Sequence, residues 1–157
     1  MEAKIRLERF GIDRLEFRCD HAALEELSGN IRVNISIRQQ IAGSLSGRVI
    51  KITLPCSLRV EDPNRTGGQP ANTLVELVVD YFGTFSFVLD DTADLQKERE
   101  EIVELLRVNG TAILFPYLRA AVTSISAAAG IVPPFVLPTV NVFKLLDTTE
   151  SSIQISD

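Results

Sequence analysis

The stretch 113–146, ILFPYLRAAVTSISAAAGIVPPFVLPTVNVFKLL, constrains the fold most, because Arg119 is its only charge before Lys144. Leu114, Leu118, Ala121, Val122, Ile125 and Ala129 recur at helical spacing along one stripe. The opposite face carries Tyr117, Ala120, Ala127 and Ala128, which are small or amphipathic. A helix that is apolar nearly all round is normally covered on more than one side. One sheet of its own subunit covers one side only. A partner chain is therefore expected on the other, with Leu118, Ala121, Val122, Ser124, Ile125 and Ala128 as interface candidates.

The ends of this helix are readable. Pro116 suits a first turn, where its missing N–H has no partner to lose. Gly130 stands in the position of a left-handed C-cap. Pro133, Pro134 and Pro138 then forbid helix and leave an extended loop around Phe135 and Leu137. A bilayer span is the rival reading. The uncharged helical run 120–129 is about half of the roughly 20 residues that a span requires, so no membrane insertion is expected.

Upstream, period-2 alternation dominates. Ile5 and Leu7 share a face, Gly11 breaks the phase, and Leu15, Phe17 and Cys19 resume it. This is one strand bulged near Gly11 or two short strands. In 31–38, Ile31, Val33, Ile35 and Ile37 alternate cleanly with polar residues. After a connection at 39–47, Ile50, Ile52, Leu54, Cys56, Leu58 and Val60 share one face. Pro55 within that run predicts an edge or a bulge. The segment 61–72 reads as a hairpin tip. In 73–89, Val75, Leu77, Val79, Tyr81, Phe85 and Phe87 lie on one face, broken by Gly83. The run 95–107 is a short amphipathic helix with Leu95, Ile102 and Leu106 inward, stopped by Asn109-Gly110. One or two helical turns at 142–146 precede a polar tail.

The expected fold is α+β. It comprises a four-stranded antiparallel meander with the long helix on one face and a short final helix. Residues 1–147 would form one domain and 148–157 a frayed tail.

Residue chemistry points away from catalysis. The only histidine, His21, has Cys19 nearby but no further ligand to complete a zinc site. Cys56 lies on an inward strand face. Gly43–Gly47 places Leu where a nucleophile elbow needs Ser, and there is no phosphate-binding loop. No catalytic residue, metal site or cofactor is expected. A net charge of −5 argues against nucleic acid as a partner. The first ten residues lack an apolar signal-peptide core, which makes the cytoplasm the default compartment.

What remains is apolar surface. Phe135, Val136, Leu137, Val140 and Phe143 lie on or after the proline-stiffened loop, and Ile31, Val33, Ile35 and Phe85 could line a groove beneath it. Such a groove would take extended polypeptide with low sequence selectivity. The alternative is that the same residues simply pack a core.

The run Leu114-Phe115-Pro116-Tyr117 with Arg119, then Gly130, a proline-bounded apolar loop and Pro138-Thr139-Val140-Asn141, resembles the SecB family of protein-export chaperones. The match is close over 113–146. Over the first ninety residues, only element order and scattered positions agree. The resemblance implies a tetramer built as a dimer of dimers, with first strands paired across a two-fold axis and long helices between the sheets. It implies ATP-independent holding of unfolded pre-secretory polypeptides and delivery to the ATPase SecA. Two departures bear on delivery. Arg14, Arg18 and Val78 align with positions where family members carry SecA-docking acids, and the region after the loop is short. A SecB-like chaperone for another partner, such as an antitoxin, is the alternative. A structural oligomer without clients is a third.

Overall fold

The computed structural model describes residues 5–27, 29–66, 72–88, 95–148 and 150–156, with the side chains of residues 95 and 96 excepted. Among them the order is β1 (Ile5–Cys19), α1 (His21–Glu25), β2 (Arg32–Ile37), β3 (Gln39–Ser44), β4 (Val49–Glu61) and β5 (Thr73–Phe87). Then follow α2 (Leu95–Leu105), a π-helical turn (Leu106–Gly110), α3 (Thr111–Ala128), α4 (Val142–Thr148) and β6 (Ser151–Ser156).

The long β4–β5 hairpin is the spine, antiparallel along its whole length. Both strands alternate β-branched, leucine and aromatic residues, the composition that favours a pleated, covered surface. β1 adds to β5, as a single strand with register shifts between Leu7 and Arg9 and between Ile12 and Arg14. The two irregularities flank Gly11, which resolves the earlier ambiguity in favour of one bulged strand. The far edge of β4 is shared, with β2 along 56–61 and β3 along 49–53. β6 runs parallel to β3 at the outer edge.

The α+β class and the long helix on the sheet are as expected, but the four-stranded meander is not. The sheet has six strands and is mixed, and β1 neighbours β5 rather than β2. β3 hid in the presumed connection because QQIAGS offers one large apolar residue and buries a glutamine instead. β6 occupies the presumed frayed tail, where only Ile153 and Ile155 alternate. Pro55 is neither at an edge nor in a bulge. It sits mid-sheet where the neighbour changes from β3 to β2, and its carbonyl accepts from Arg38 N at 2.9 Å. Its nitrogen faces the same junction, so no ladder bond is sacrificed.

The helical layer is continuous. Asn109-Gly110 does not stop α2; the π-helical turn carries it into α3. A Cβ on Gly110 would strike Ile52 Cδ1, and one on Gly83 would lie 2.5 Å from Leu114 Cδ2. The two glycines let the helical layer approach the spine. Pro116 is correspondingly inside α3 rather than in a first turn. The length argument against a bilayer span also falls, since the helix runs unbroken from Lys97 to Ala128, 32 residues. Its placement on the sheet is set by packing: Leu106, Leu114, Leu118 and Val122 are fully buried against the β4–β5 face.

Candidate functional site

The proline loop is fastened to the end of α3. Gly130 has φ +82° and its N–H donates to Ala127 O at 3.0 Å, the left-handed helix end expected there. Buried Ser126 then ties both directions, donating to Thr123 O at 3.0 Å and accepting from Phe135 N at 2.9 Å. The Val132–Pro133 peptide bond is cis. Leu137 plugs the loop into the core at 0% exposure. Asn141 caps α4, accepting from Phe143 N at 3.0 Å.

Fastened this way, the loop stands off the rest of the molecule along two clefts. One, of about 320 Å³, lies between β2 and the loop and is lined by Ile35, Ile37, Phe115, Pro138, Val140 and Leu145, with Ser36 and Thr148. The other, of about 610 Å³, lies between the outward face of α3 and residues 136–142. Ala112, Phe115, Pro116, Ala120, Ser124, Val136 and Val140 line it, with Arg119 the only charge. Phe115 and Val140 form the wall common to both.

The expected binding residues therefore divide. Ile35, Val136 and Val140 line the clefts. Ile31 and Val33 continue the β2 strip and, like Ile35, are exposed. Val33 and Ile35 stand opposite buried Val60 and Leu58, so they lie on the core face of the sheet beyond the reach of α3. Phe135 is half-buried beside Ser126. Three assignments need correction. Phe85 and Leu137 are fully buried and pack the core, so no ligand can reach them. Phe143 is 63% exposed but faces a separate cleft over α2, beside Glu100, Glu101 and Glu104.

The interface candidates divide along the helix. Leu118 and Val122 are buried in their own subunit, because they form the stripe that meets β4 and β5. Ala121 and Ile125 are half-buried, and Ser124 and Ala128 are exposed. The outward face also carries exposed Ile113, Pro116, Tyr117 and Ala120, none charged. β1 adds an exposed strip of which residue patterning named only Leu15: Phe10, Ile12 and Leu15 point to the core face yet are 48%, 41% and 49% exposed. The Phe10 and Tyr117 rings lie 4.6 Å apart, joining the strip to α3. β1 is an edge strand, with β5 its only neighbour among the described residues.

The outer face of the sheet holds Arg14, Arg18 and Val78. Sequence alone shows two positives against Glu16 there, but β5 contributes Glu76 and Asp80 to the same face. Arg14 pairs with Glu16 at 2.9 Å, while Arg18 and Arg59 both reach Glu76 at 3.1 Å. The patch is a balanced ladder of charges, neither the acidic face of the resemblance nor a basic one. Elsewhere, burial pushes the Cys56 thiol up to about 11, which makes it an inert core group.

These features define the class. A twisted sheet with a long helix across one face, an open β2 flank and a proline loop beside it make up a SecB-like fold. The structure superimposes on Rv1957 of Mycobacterium tuberculosis with a TM-score of 0.65 and 14% identity, over 88% of this chain and 91% of that one. Rv1957 is a SecB-like chaperone, solved in complex with a ChAD peptide from the Rv1956 HigA1 antitoxin. In sequence, the chain is 38% identical over 80 residues to the uncharacterized protein MJ0357 of Methanocaldococcus jannaschii. That match takes in 51% of this chain and 46% of the relative, so the chain spans about half of the relative's length. No family model matches the chain.

Proposed function

We propose that the protein is an ATP-independent holdase that binds unfolded polypeptide segments in the clefts beside its proline loop. The observation that carries this reading is the uncovered strip Ile31, Val33 and Ile35, which leads into a cleft walled by Phe115 and Val140. Covering one such side chain fully contributes about 1.5–3 kcal/mol, so a client that covers several gains affinity without any defined sequence. Unfolded clients meet that requirement and folded partners do not. The cytoplasm is the compartment in which such clients would be met. The β1 edge with Phe10, Ile12 and Leu15, and the outward face of α3, where Ile113, Pro116, Tyr117 and Ala120 are exposed, support self-association into a dimer and a tetramer.

A second reading concerns the destination of the client. A docking field for a basic surface on SecA needs an excess of acid, and the outer face is balanced. A dedicated partner, such as an antitoxin, needs no acidic outer face, and Rv1957 offers the analogy.

The test is light scattering from a chemically unfolded protein diluted into buffer without nucleotide. Wild type at equal molarity should suppress aggregation. The double change Val33→Ser with Ile35→Ser should abolish suppression while altering unfolding free energy by less than about 1 kcal/mol, since these side chains are already exposed. Full suppression by the variant would place the client elsewhere.

A further inference from the structure

β6 is a thinly covered edge strand. Five of its six residues are exposed, as in β2, and only Ile155 packs partly against the core. Its attachment is almost wholly polar. The parallel ladder to β3 is extended by Gln39 N donating to Glu150 O at 3.1 Å and Leu45 N donating to Ser156 O at 3.0 Å. Arg99 Nη2 donates to Ile155 O at 3.1 Å. Beside it, a cleft of about 390 Å³ is lined by Ile153 and Ile155 of the strand and by Arg99, Glu100, Val103, Glu104 and Arg107 of the helical layer.

The seat itself is built into the fold. Gln39, 1% exposed, is locked by its Nε2 donating to Thr111 Oγ1 at 2.6 Å and to Arg107 O at 2.8 Å. Its Oε1 thereby turns to β6 and accepts from Ser151 Oγ at 3.0 Å. Without a strand on β3, that oxygen and the edge of β3 would need new partners. The register sets Ile153 beside buried Ile41, on the helix side of the sheet.

We propose that the β3 edge is a strand-addition site for an extended polypeptide segment, and that β6 occupies it in cis. The segment carries a hydroxyl residue facing Gln39 and β-branched apolar residues at the next two inward positions. β6 displays this pattern itself, as Ser151, Ile153 and Ile155. A cis strand competes at an effective concentration in the millimolar range, so an outside segment enters only where β6 is weakened or where the segment packs the cleft better. The site is distinct from the clefts beside the proline loop and stands independently of the holdase reading.

The experiment uses the whole chain with Ile153→Gly and Ile155→Gly, which remove both apolar side chains of β6 from the cleft and release the strand. The probe is a fluorescent octapeptide with the sequence of residues 150–157, followed by anisotropy. The variant should bind it at least about tenfold more tightly than wild type. A peptide with Ala in place of Ser151 should bind about fivefold more weakly than the unaltered peptide. No binding by the released variant, or equal binding of both peptides, would overturn the proposal. If the variant does not fold, hydrogen exchange of wild type decides. Amides of 151–156 should exchange at least about 100-fold faster than those of 75–79. Equal protection would overturn it.

Discussion

Ile52 and Ile35 lie on the same face of the same sheet, one at 0% exposure and the other at 44%. The difference is cover. α3 packs chiefly on β4 and β5, so Ile50, Ile52, Leu54 and Leu58 are sealed while the flanks stay half open. On the β2 flank Ile31, Val33 and Ile35 are left open, and on the β1 flank Phe10, Ile12 and Leu15. Alternation therefore encodes which face is apolar, and the length and angle of the helix decide which part of that face is core. Two open apolar flanks on one small domain are costly in water, and patches of this kind mark interaction surfaces in general.

The comparison is broken most forcefully from its covered side. Leu118→Ala removes a fully buried side chain beneath α3 and should lower unfolding free energy by about 2–5 kcal/mol in urea titration. The flank change Val33→Ser with Ile35→Ser should leave stability nearly intact; a loss as large as that of Leu118→Ala would mean the flank is core. Ser126→Ala tests the fastening between the two regions. It removes the acceptor for Phe135 N, and should cost about 1 kcal/mol and speed exchange at the Phe135 amide while β4 stays protected. Uniform loss of protection would show that the loop and the core open together.

The smallest effect belongs to the solvated side of α2. A hydrogen bond from Arg107 lowers the pKa of Glu104 from its ordinary value, and the Arg107 charge adds to it. A lowered folded-state pKa gives stability that is present above the unfolded value and lost as pH falls through the folded one. Glu104→Gln should therefore cost no more than about 0.5 kcal/mol at pH 7, after discounting for exposure, and less at pH 2.5. Urea midpoints at the two pH values check this.

Local features were legible from residues alone, and long-range ones were not. The left-handed Gly130, the α3 stripe and the β4 and β5 faces all follow from spacing within a few residues. Which of Val136 and Leu137 turns inward could not be read, because a proline loop has no period and Ser126 sets its phase from outside. β3 escaped notice because its inward residues include Gln39, whose burial depends on Thr111 and Ser151. The balance of charge around Arg14 and Arg18 depended on β5 lying beside β1, a pairing that joins the first and fifth strands. The strip on β2 was legible as apolar, but its exposure was visible only once α3 had been placed.

The central proposal is that the open β2 flank beside the proline loop holds extended polypeptide. Hydrogen-exchange mass spectrometry with a reduced and alkylated, permanently unfolded protein tests it most directly. On client addition, protection should rise in 31–37 and 131–142 and stay unchanged in the α2 segment 97–105. No change at 31–37, or protection confined to α2, would contradict the account.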